Sequence, residues 1–388
     1  MKVVLSTLGK FHSFDLARQL HRHGWLETIY SGYPRFKLKD EGLPEAKVRT
    51  FPYLHTPYMA NKWRDSCSTW FLRQWEYWDR VALDAFAART LPEAEVFVGL
   101  SGCGLATGLE ARRRGMTYVC DRGSTHIQHQ NDVLREEHEN WGVRFPGIDP
   151  LIIEREQAEY AAADLITVPS TFVKQTFTAH GVPPDKVKVL PYGVDLTRFQ
   201  PVETPAEDGF DLLFVGGVSL RKGVPYLLRA FQRLIHPKKT LTVAGVAEPA
   251  VLHRMRVMGL LTDDIRLLGH VPQPRLKHLM SRSHALVLPS MEEGLALVMA
   301  QALASGCPVI ASRNTGASDL FSDGVEGFIV KPRDPDELSR RMQMLADHPA
   351  RQRSMREAAL RRVQHIGGWD RYGEMAMQLY GAHAVVHS

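Results

Sequence analysis

HALVLPSMEEGLALVMAQALASGCPVIAS, residues 284–312, sets the architecture expected of this chain. A short apolar run leads through a glutamate pair and Gly294 into an apolar segment of helical length. A second apolar run follows Gly306. A strand, a helix and a strand in this order predict two parallel strands joined by a right-handed crossover. Ligands of such sheets bind at the carboxyl ends of the strands, which is where Glu292 and Glu293 stand.

The same alternation runs through the rest of the chain. Helical segments separate the apolar runs, for example at residues 13–23 and 105–115. The runs lie at residues 2–7, 95–99, 117–120, 164–169 and 186–190, and then at 211–217, 241–245, 265–269, 284–290, 307–312 and 327–330. Two such series predict two α/β domains in tandem, each with a parallel sheet, facing each other across a cleft.

The domain boundaries follow from length and from turn residues. A chain of 388 residues is too long for one hydrophobic core. The turn-rich, proline-bearing segment 192–209 predicts a linker. We therefore expect a first domain at 1–191 and a second at 210–366. A terminal helix within 367–388 is expected to pack back on the first domain.

Composition excludes several classes of function. Apolar residues make up 44% and charged residues 23% of the chain, and the net charge is +5, which is no nucleic-acid signature. The cysteines follow no disulfide or metal spacing, which fits a reducing compartment: Cys67, Cys103, Cys120 and Cys307. Without an apolar run of signal-peptide or spanning length, we expect a cytoplasmic protein, at most attached to the inner face of a membrane.

The segment FVGGVSLRKG, residues 214–223, suits an anionic ligand. It follows an apolar run and precedes a helix that Pro225 can open. Its glycines allow close backbone approach, and Arg221 and Lys222 supply positive charge for a diphosphate. An ordinary strand-to-helix loop with solvated basic residues is the alternative.

The glutamate pair precedes a second anion site. Gly294 to Leu297 would form a helix N-terminus, where free N–H groups and the helix dipole attract anions. Gln301 stands eight residues after Glu293, about two helical turns deeper. A carboxylate and an amide so placed suit two hydroxyl-bearing rings at the ends of a diphosphate. The alternative is a capping acid pair and a polar helix residue.

Three stretches together resemble glycosyltransferase family 4. They are VLPYGVDLTRFQP (189–201), FVGGVSLRKGVPYLLRAF (214–231) and the region from LGHVPQ to EGFIV (268–330). The resemblance covers roughly residues 164–335 and implies the GT-B architecture of two Rossmann-like domains. It also implies a retaining, metal-independent glycosyltransferase, which moves a hexosyl-type sugar from a UDP- or GDP-sugar to an acceptor hydroxyl in polysaccharide or glycolipid assembly.

The resemblance assigns roles on the donor side. Glu293 matches the first acid of the family's E-x7-E motif, and Gln301 stands where the second would hold the ribose. An amide can still hydrogen-bond that hydroxyl. Lys222 matches the motif lysine, and Gly217 replaces a frequent arginine. The full set implied to bind the donor is Gly9, Gly216, Gly217, Arg221, Lys222, Val271, Glu293, Gly294, Leu295, Ala296, Leu297 and Gln301.

The acceptor side is expected in the first domain. YVCDRGSTHIQHQ, residues 118–130, ends a strand in the region where family members often place a functional histidine. We predict His126 as a catalytic residue beside Glu293 and Lys222. Lys10, His12 and Arg122 are predicted on the acceptor side. In a chain with 17 histidines, chance placement of His126 is the alternative.

We predict no metal site. His126 and His129 have helical spacing but lack an evident third ligand. Asp334 and Asp336 precede a helix, so a cap explains them better than a metal motif.

Residues 51–80 combine tryptophans with basic side chains. This composition suits a membrane interface or a lipid-linked acceptor. A packed helical excursion of the first domain is the alternative.

Two other functions stay open. A GT-B epimerase or phosphorylase would share the fold. A non-catalytic protein that binds nucleotide sugars would explain Gly217 and Gln301. The base and sugar of the donor, the acceptor and the oligomeric state are not predicted.

Overall fold

The computed structural model describes residues 1–61 and 67–384, except for the side chain of Leu196. Within these ranges the chain forms two parallel sheets flanked by helices. No helix in this part of the chain is both long and apolar enough to cross a membrane.

The first sheet has seven strands in the order β3-β2-β1-β4-β5-β6-β7, and every neighbouring pair is parallel. Its strands are β1 (Val3–Thr7), β2 (Leu26–Ser31), β3 (Val48–Thr50), β4 (Val96–Leu100), β5 (Thr117–Asp121), β6 (Leu165–Val168) and β7 (Val187–Val189). The order reverses between β1 and β4. A crevice opens there at the carboxyl edge of the sheet.

In the described part of the chain, seven α-helices connect these strands, and serine or aspartate side chains cap several of them. The helices are α1 (Phe11–Arg22), α2 (His55–Ala60), α3 (Thr69–Arg89), α4 (Leu105–Arg113), α5 (Ile127–Trp141), α6 (Pro150–Ala162) and α7 (Thr171–Ala179). Short 3₁₀ turns occur at Arg35–Lys37, Lys39–Glu41 and Glu45–Lys47. Ser68, Asp149 and Ser170 accept backbone hydrogen bonds at the starts of α3, α6 and α7.

The second sheet has six parallel strands in the order β10-β9-β8-β11-β12-β13. They are β8 (Phe210–Val215), β9 (Lys239–Ala244), β10 (Ile265–Gly269), β11 (Ala285–Leu288), β12 (Val309–Ser312) and β13 (Gly327–Val330). The switch point lies between β8 and β11, so the loops after these two strands face each other.

Among the residues up to 384 that the structure describes, eight further α-helices accompany this sheet or follow it. They are α8 (Val224–Arg233), α9 (Pro249–Val257), α10 (Gln273–Arg282), α11 (Leu297–Ala304), α12 (Ala317–Leu320), α13 (Pro335–Asp347), α14 (Pro349–Val363) and α15 (Trp369–Ala384). Short 3₁₀ turns occur at Leu196–Arg198 and Arg313–Thr315. Pro225 stands in the first turn of α8. Asp334 accepts from the Glu337 N–H at 2.7 Å and caps α13, which confirms the capping prediction.

Two helices tie the halves together. Trp141 at the end of α5 is buried in the hydrophobic core around the second sheet. Tyr372 and Tyr380 of α15 are buried in the core of the first sheet, although α15 follows the second sheet in the chain. Gly373 lies so close to Gln19 of α1 that a Cβ there would stand 2.4 Å from Gln19 Cβ. The two halves are therefore interlocked by helices that cross in both directions.

The prediction of two tandem parallel α/β domains is confirmed, and a strand lies at every predicted run. Strands β2 and β3 were missed. Polar residues interrupt β2, and β3 has only three residues. In the segment predicted as a linker, Val194 and Phe199 are buried against the second core.

Candidate active site

A cleft of about 1740 Å³ lies between the carboxyl edges of the two sheets, lined by loops from both halves. Seven predicted site residues line it: Gly9, His12, Arg122, Arg221, Leu295, Leu297 and Gln301. Nine others are not among its lining residues: Lys10, His126, Gly216, Gly217, Lys222, Val271, Glu293, Gly294 and Ala296.

The two predicted anion-binding loops of the second sheet meet. Lys222, after β8, forms an ion pair with Glu293, which precedes α11. Glu293 is 7% exposed, and its backbone N–H donates to Asn314 O at 3.0 Å. Gly223 has a φ of +66°, and a Cβ there would stand 2.1 Å from Pro289 O. A glycine at this position therefore lets the loop after β8 approach the loop after β11.

Glu292 joins the two halves of the molecule. It is fully buried, and Arg221 Nε donates to its Oε2 at 2.7 Å. From the first half, the Thr125 N–H and hydroxyl donate to Oε1 at 3.1 and 2.9 Å, and the Ser124 hydroxyl donates at 2.5 Å. Burial alone would raise the pKa of Glu292, but Arg221 and these donors outweigh it and lower the pKa to about 2. Glu292 is therefore an ionised link across the cleft.

The backbones of the two halves are also in contact here. A Cβ on Gly294 would stand 2.0 Å from Gly123 O, and the Ser170 hydroxyl donates to Gly294 O at 2.6 Å. Asp319 accepts from the Thr171 N–H and hydroxyl at 3.0 and 2.6 Å, at the first turn of α7. An acidic side chain at Asp319 thus serves as a helix-terminal contact between the halves.

Helix α11 begins at Leu297, so only part of the eight-residue spacing between Glu293 and Gln301 is helical. Glu293 lies in the loop, and Gln301 stands one turn inside the helix. The expected separation of two helical turns is therefore wrong, because half of the spacing is non-helical. Leu295 and Ala296 are buried just before the helix. Gln301 lines the cleft on the same wall as Arg221.

On the opposite wall, His12 is the histidine at the switch point. Its Nε2 lies 2.5 Å from Asp121 Oδ2, and its ring lies 4.2 Å from the ring of Tyr192. Thr167 holds the other oxygen of Asp121 at 2.8 Å. The carboxylate therefore fixes the orientation of an imidazole that lines the cleft.

His126 occupies a different environment. It is 4% exposed, stacks on His180 at 4.4 Å, and packs against Tyr160 and Phe177. Its Nδ1 accepts from the Gln128 N–H at 3.3 Å as the cap of α5. Burial lowers the pKa of His126 to about 4, and His180 and Arg122 act in the same direction. The structure thus places His126 behind the cleft wall.

Arg122 lines the cleft with every part of its guanidinium engaged. Nη1 donates to Glu156 at 2.6 Å, Nη2 to Gln130 at 2.9 Å and Nε to Thr125 O at 3.1 Å. Lys10, in the loop after β1, pairs with Glu41 at 2.7 Å. Arg122 and Lys10 are therefore both neutralised by neighbouring carboxylates.

The remaining residues predicted to bind the donor lie in loops of the second sheet. Gly216 has a φ of +149°, and its carbonyl lies 1.7 Å from where a Cβ on Gly245 would stand. Gly217 follows it, and a Cβ there would meet Val246 O at 3.8 Å, which is ordinary contact. Val271 follows β10 and packs partly buried against the second core.

Sequence reasoning missed how the loop after β5 is used. Ser124, Thr125 and Gln130 hold Glu292, and none was predicted as a site residue. Ser124 and Thr125 stand in the loop directly after β5, which is a signal that could have identified them, whereas Gln130 lies inside α5. In the described part of the chain, no group of three His, Cys, Asp or Glu side chains could hold a metal ion.

The aromatic segment 51–80 contributes α2 and α3. Residues 62–66, including one of its tryptophans, lie outside the described residues. Trp70 and Trp78 of α3 are 71% and 55% exposed, whereas Trp75 donates to Leu54 O at 3.1 Å. The segment therefore packs in part and presents aromatic side chains to solvent in part.

Two family models match consecutive parts of the chain. Glycosyltransferase Family 4 matches residues 10–198, and Glycosyl transferases group 1 matches residues 197–362. Between them they span both sheets and the loops that line the cleft.

Curated relatives match over part of their length. D-inositol 3-phosphate glycosyltransferase of Thermomonospora curvata is 28% identical over 59% of this chain and 59% of its own. D-inositol 3-phosphate glycosyltransferase 1 of Catenulispora acidiphila is 30% identical over 69% of this chain and 66% of its own. The chain thus covers less than two thirds of the length of each.

Solved structures match along the whole chain. Sucrose-phosphate synthase from Thermosynechococcus elongatus superposes with a TM-score of 0.73 at 20% identity and covers 100% of both chains. Anabaena Alr3699/HepE in complex with UDP and glucose has a TM-score of 0.70 at 16% identity, over 98% of this chain and 100% of that one. At these identities the likeness establishes the fold, which is GT-B as predicted.

Proposed function

The chain belongs to glycosyltransferase family 4, and on that premise we propose that it moves a sugar from a nucleoside diphosphate to an acceptor hydroxyl. The cleft between the two sheets would hold both substrates. We therefore favour an enzyme of polysaccharide or glycolipid assembly over a GT-B epimerase, a phosphorylase or a non-catalytic binding protein.

The ion pair between Lys222 and Glu293 carries the proposal. It joins a cation suited to a diphosphate with an acid suited to sugar hydroxyls, beside the N-terminus of α11. A donor bound here would exchange Glu293 for phosphate oxygens at Lys222. Glu293 would then be free to accept hydrogen bonds from the sugar. Gln301 would hydrogen-bond the ribose.

The reaction needs stabilisation of a leaving diphosphate. The bond between sugar C1 and the diphosphate oxygen breaks, and its electron pair leaves with the diphosphate. A new bond forms between C1 and the acceptor oxygen, whose proton passes to the departing diphosphate. Lys222 and Arg221 would stabilise the growing negative charge, so we propose transfer without a metal ion. We propose retention of the anomeric configuration, as the family resemblance implies.

We assign the histidine near the reacting centre to His12. It lines the cleft and is oriented by Asp121, whereas His126 is packed behind the wall. Gly9 lies in the loop that leads into α1, and His12 stands in the first turn of that helix. His12 would contact the donor sugar at the switch point of the first sheet.

For the donor we propose a UDP- or GDP-sugar. One structural neighbour was solved with UDP and glucose, and another similar protein is named as an MMP alpha-(1->4)-mannosyltransferase. A hexose is therefore the first sugar to test. We further propose that the exposed Trp70 and Trp78 contact a lipid surface, with Arg73 on the same helix. Cosedimentation with anionic vesicles tests this contact.

The proposal is tested by product analysis. The full chain is incubated with UDP-glucose, UDP-galactose or GDP-mannose and a mixture of octyl glycosides, with and without EDTA. We expect one donor to release its nucleoside diphosphate in step with a glycosylated product of unchanged anomeric configuration, at the same rate in EDTA. An inverted product would contradict retention, and loss of turnover in EDTA would contradict metal independence. If no donor binds or reacts, the proposed function is wrong.

A further inference from the structure

A second histidine–carboxylate pair lies in the first half of the cleft. His55 of α2 and Asp79 of α3 are 6% and 2% exposed, and His55 Nδ1 lies 2.8 Å from Asp79 Oδ2. In the neutral imidazole, a carboxylate so placed holds the proton on Nδ1 and leaves the lone pair on Nε2. Nε2 is buried and has no hydrogen-bond partner among the residues that the structure describes. A buried polar atom without a partner is unfavourable and points to a missing ligand.

The pair stands at the edge of the sheet where a substrate is expected. His55 lines the same cleft as Gly9 and His12. A Cβ on Gly32, directly after β2, would meet His55 Cγ at 3.2 Å and Leu8 O at 2.9 Å. His55 therefore lies over the carboxyl ends of β1 and β2. The ring of Tyr33 stands edge-on at 5.0 Å.

Most of the charged side chains along this wall are paired with an opposite charge. Arg80 Nη2 donates to Glu76 at 2.8 Å. Lys10 pairs with Glu41, and Arg122 pairs with Glu156. Arg73 donates instead to the carbonyls of Pro146 and Gly147 at 2.7 and 2.6 Å. Paired charges offer alternating donors and acceptors, which suits hydroxyl groups better than a phosphate.

We propose that His55 binds a hydroxyl of an uncharged sugar acceptor through Nε2, and that Asp79 positions the imidazole for this contact. The inference rests on the proposed function and deepens it by naming the acceptor class and the residue that binds it. Nε2 accepts the hydrogen bond of a ring hydroxyl, which orients the acceptor toward the donor held on the opposite wall.

The test uses variants that separate the two ring nitrogens. His55→Asn keeps a donor for Asp79 and removes Nε2, whereas His55→Gln places an amide near the position of Nε2. Asp79→Asn disturbs the orientation of the ring. His278→Asn is the matched control, because His278 forms an exposed pair with Glu203 at 2.7 Å. Thermal midpoints identify variants that fail to fold.

The full chain and its variants are assayed with UDP-glucose, UDP-galactose and GDP-mannose. The acceptors are octyl glucoside, galactoside and mannoside, set against glucose 6-phosphate, mannose 6-phosphate and inositol 3-phosphate. We expect His55→Asn and Asp79→Asn to raise the acceptor KM about tenfold, as the loss of one well-made hydrogen bond does. Donor KM and slow donor hydrolysis should stay within about twofold. His55→Gln should recover part of the loss, and the control should match the wild type.

Several results would overturn the inference. An unchanged acceptor KM in the His55 and Asp79 variants would show that His55 does not contact the acceptor. An equal rise in donor KM would show that the pair has a structural role only. Preference for the sugar phosphates, or donor hydrolysis without transfer to any octyl glycoside, would contradict an uncharged acceptor. Failure of the proposed function looks different, since the wild-type chain itself would then neither bind nor hydrolyse any of the three donors.

Discussion

Glu292 in the second half of the chain accepts hydrogen bonds from both the backbone N–H and the hydroxyl of Thr125 in the first half, at 3.1 and 2.9 Å. This contact sits directly beside Glu293 and Lys222. The residues proposed to bind the donor are therefore held against the wall proposed to bind the acceptor. A buried carboxylate in this position makes the geometry of the cleft depend on a contact between the halves.

Replacing this carboxylate should destabilise the fold. Glu292→Gln keeps the volume but weakens the hydrogen bonds and leaves Arg221 without its closest partner. We expect a loss of about 2–3 kcal/mol in the free energy of unfolding, measured by urea denaturation. Glu136→Gln is the control, because Glu136 is 55% exposed in its ion pair with Arg333. It should lose no more than about 1 kcal/mol. Equal effects of the two changes would contradict this role of Glu292.

His126 should contribute to the pH dependence of folding stability and not to the turnover of the donor. Its folded-state pKa of about 4 lies below the ordinary value of 6.5. Protonation of His126 is therefore less favourable in the folded state than in the unfolded state. The contribution of the neutral ring to stability is fully present above about pH 6.5 and is lost as the pH decreases toward 4. The full effect is on the order of 3 kcal/mol. His126→Phe should flatten this part of the pH profile of the unfolding midpoint.

The same variant separates packing from catalysis. Donor turnover by His126→Phe should stay within a few-fold of the wild type at pH 7.5. His278→Phe, at an exposed position, is the control and should leave donor turnover unchanged. If His126→Phe abolished turnover while remaining folded, the assignment of His12 in its place would be wrong.

Lys222 should be required for efficient use of the donor. Lys222→Ala removes the cation expected at the diphosphate and leaves Glu293 without this ion-pair partner. Transition-state stabilisation should fall by about 2–4 kcal/mol, measured as kcat/KM for the donor. Lys238→Ala is the control, because Lys238 forms an exposed ion pair with Asp208. Donor kinetics of Lys222→Ala equal to those of the control would exclude this role.

Gln301 should tolerate a carboxylate. It lines the cleft one turn into α11, where a charged acceptor would strengthen the hydrogen bond from a ribose hydroxyl. Nucleotide affinity of Gln301→Glu, measured by calorimetry, should be equal to or tighter than that of the wild type. Gln364→Glu, at an exposed position, should leave it unchanged. Loss of binding in a folded Gln301→Glu would show that the ribose lies elsewhere.

Much of the fold could be predicted because most of its strands are short and apolar, and many of them are buried on both faces. Parallel sheets covered by helices produce such runs, and β8 through β13 were all visible. β2 was not predicted because polar residues interrupt its apolar run, and β3 was not predicted because it has only three residues. Periodicity alone does not distinguish such strands from loops.

The site was predictable as far as strand ends determine it. Lys222 and Glu293 follow β8 and β11, and parallel topology brings those two ends together. The position of a strand end does not predict the direction in which a side chain after the strand points. His126 turns back toward Tyr160 and Phe177, whereas His12 faces the cleft. The contact between Glu292 and Thr125 depends on how the halves dock, which no local pattern specifies.

Thermal unfolding of the full chain tests whether the cleft binds a nucleoside diphosphate sugar through Lys222 and its neighbours. UDP-, GDP- and ADP-sugars and the free nucleotides are added with and without EDTA, to the wild type and to Lys222→Ala. A ligand at about 100 times its Kd should stabilise the fold by about 2.7 kcal/mol, which shifts the midpoint by several degrees. Binding through Lys222 predicts such a shift for one base, unaffected by EDTA and reduced in Lys222→Ala. No shift with any nucleotide, or an equal shift in the variant, would contradict it.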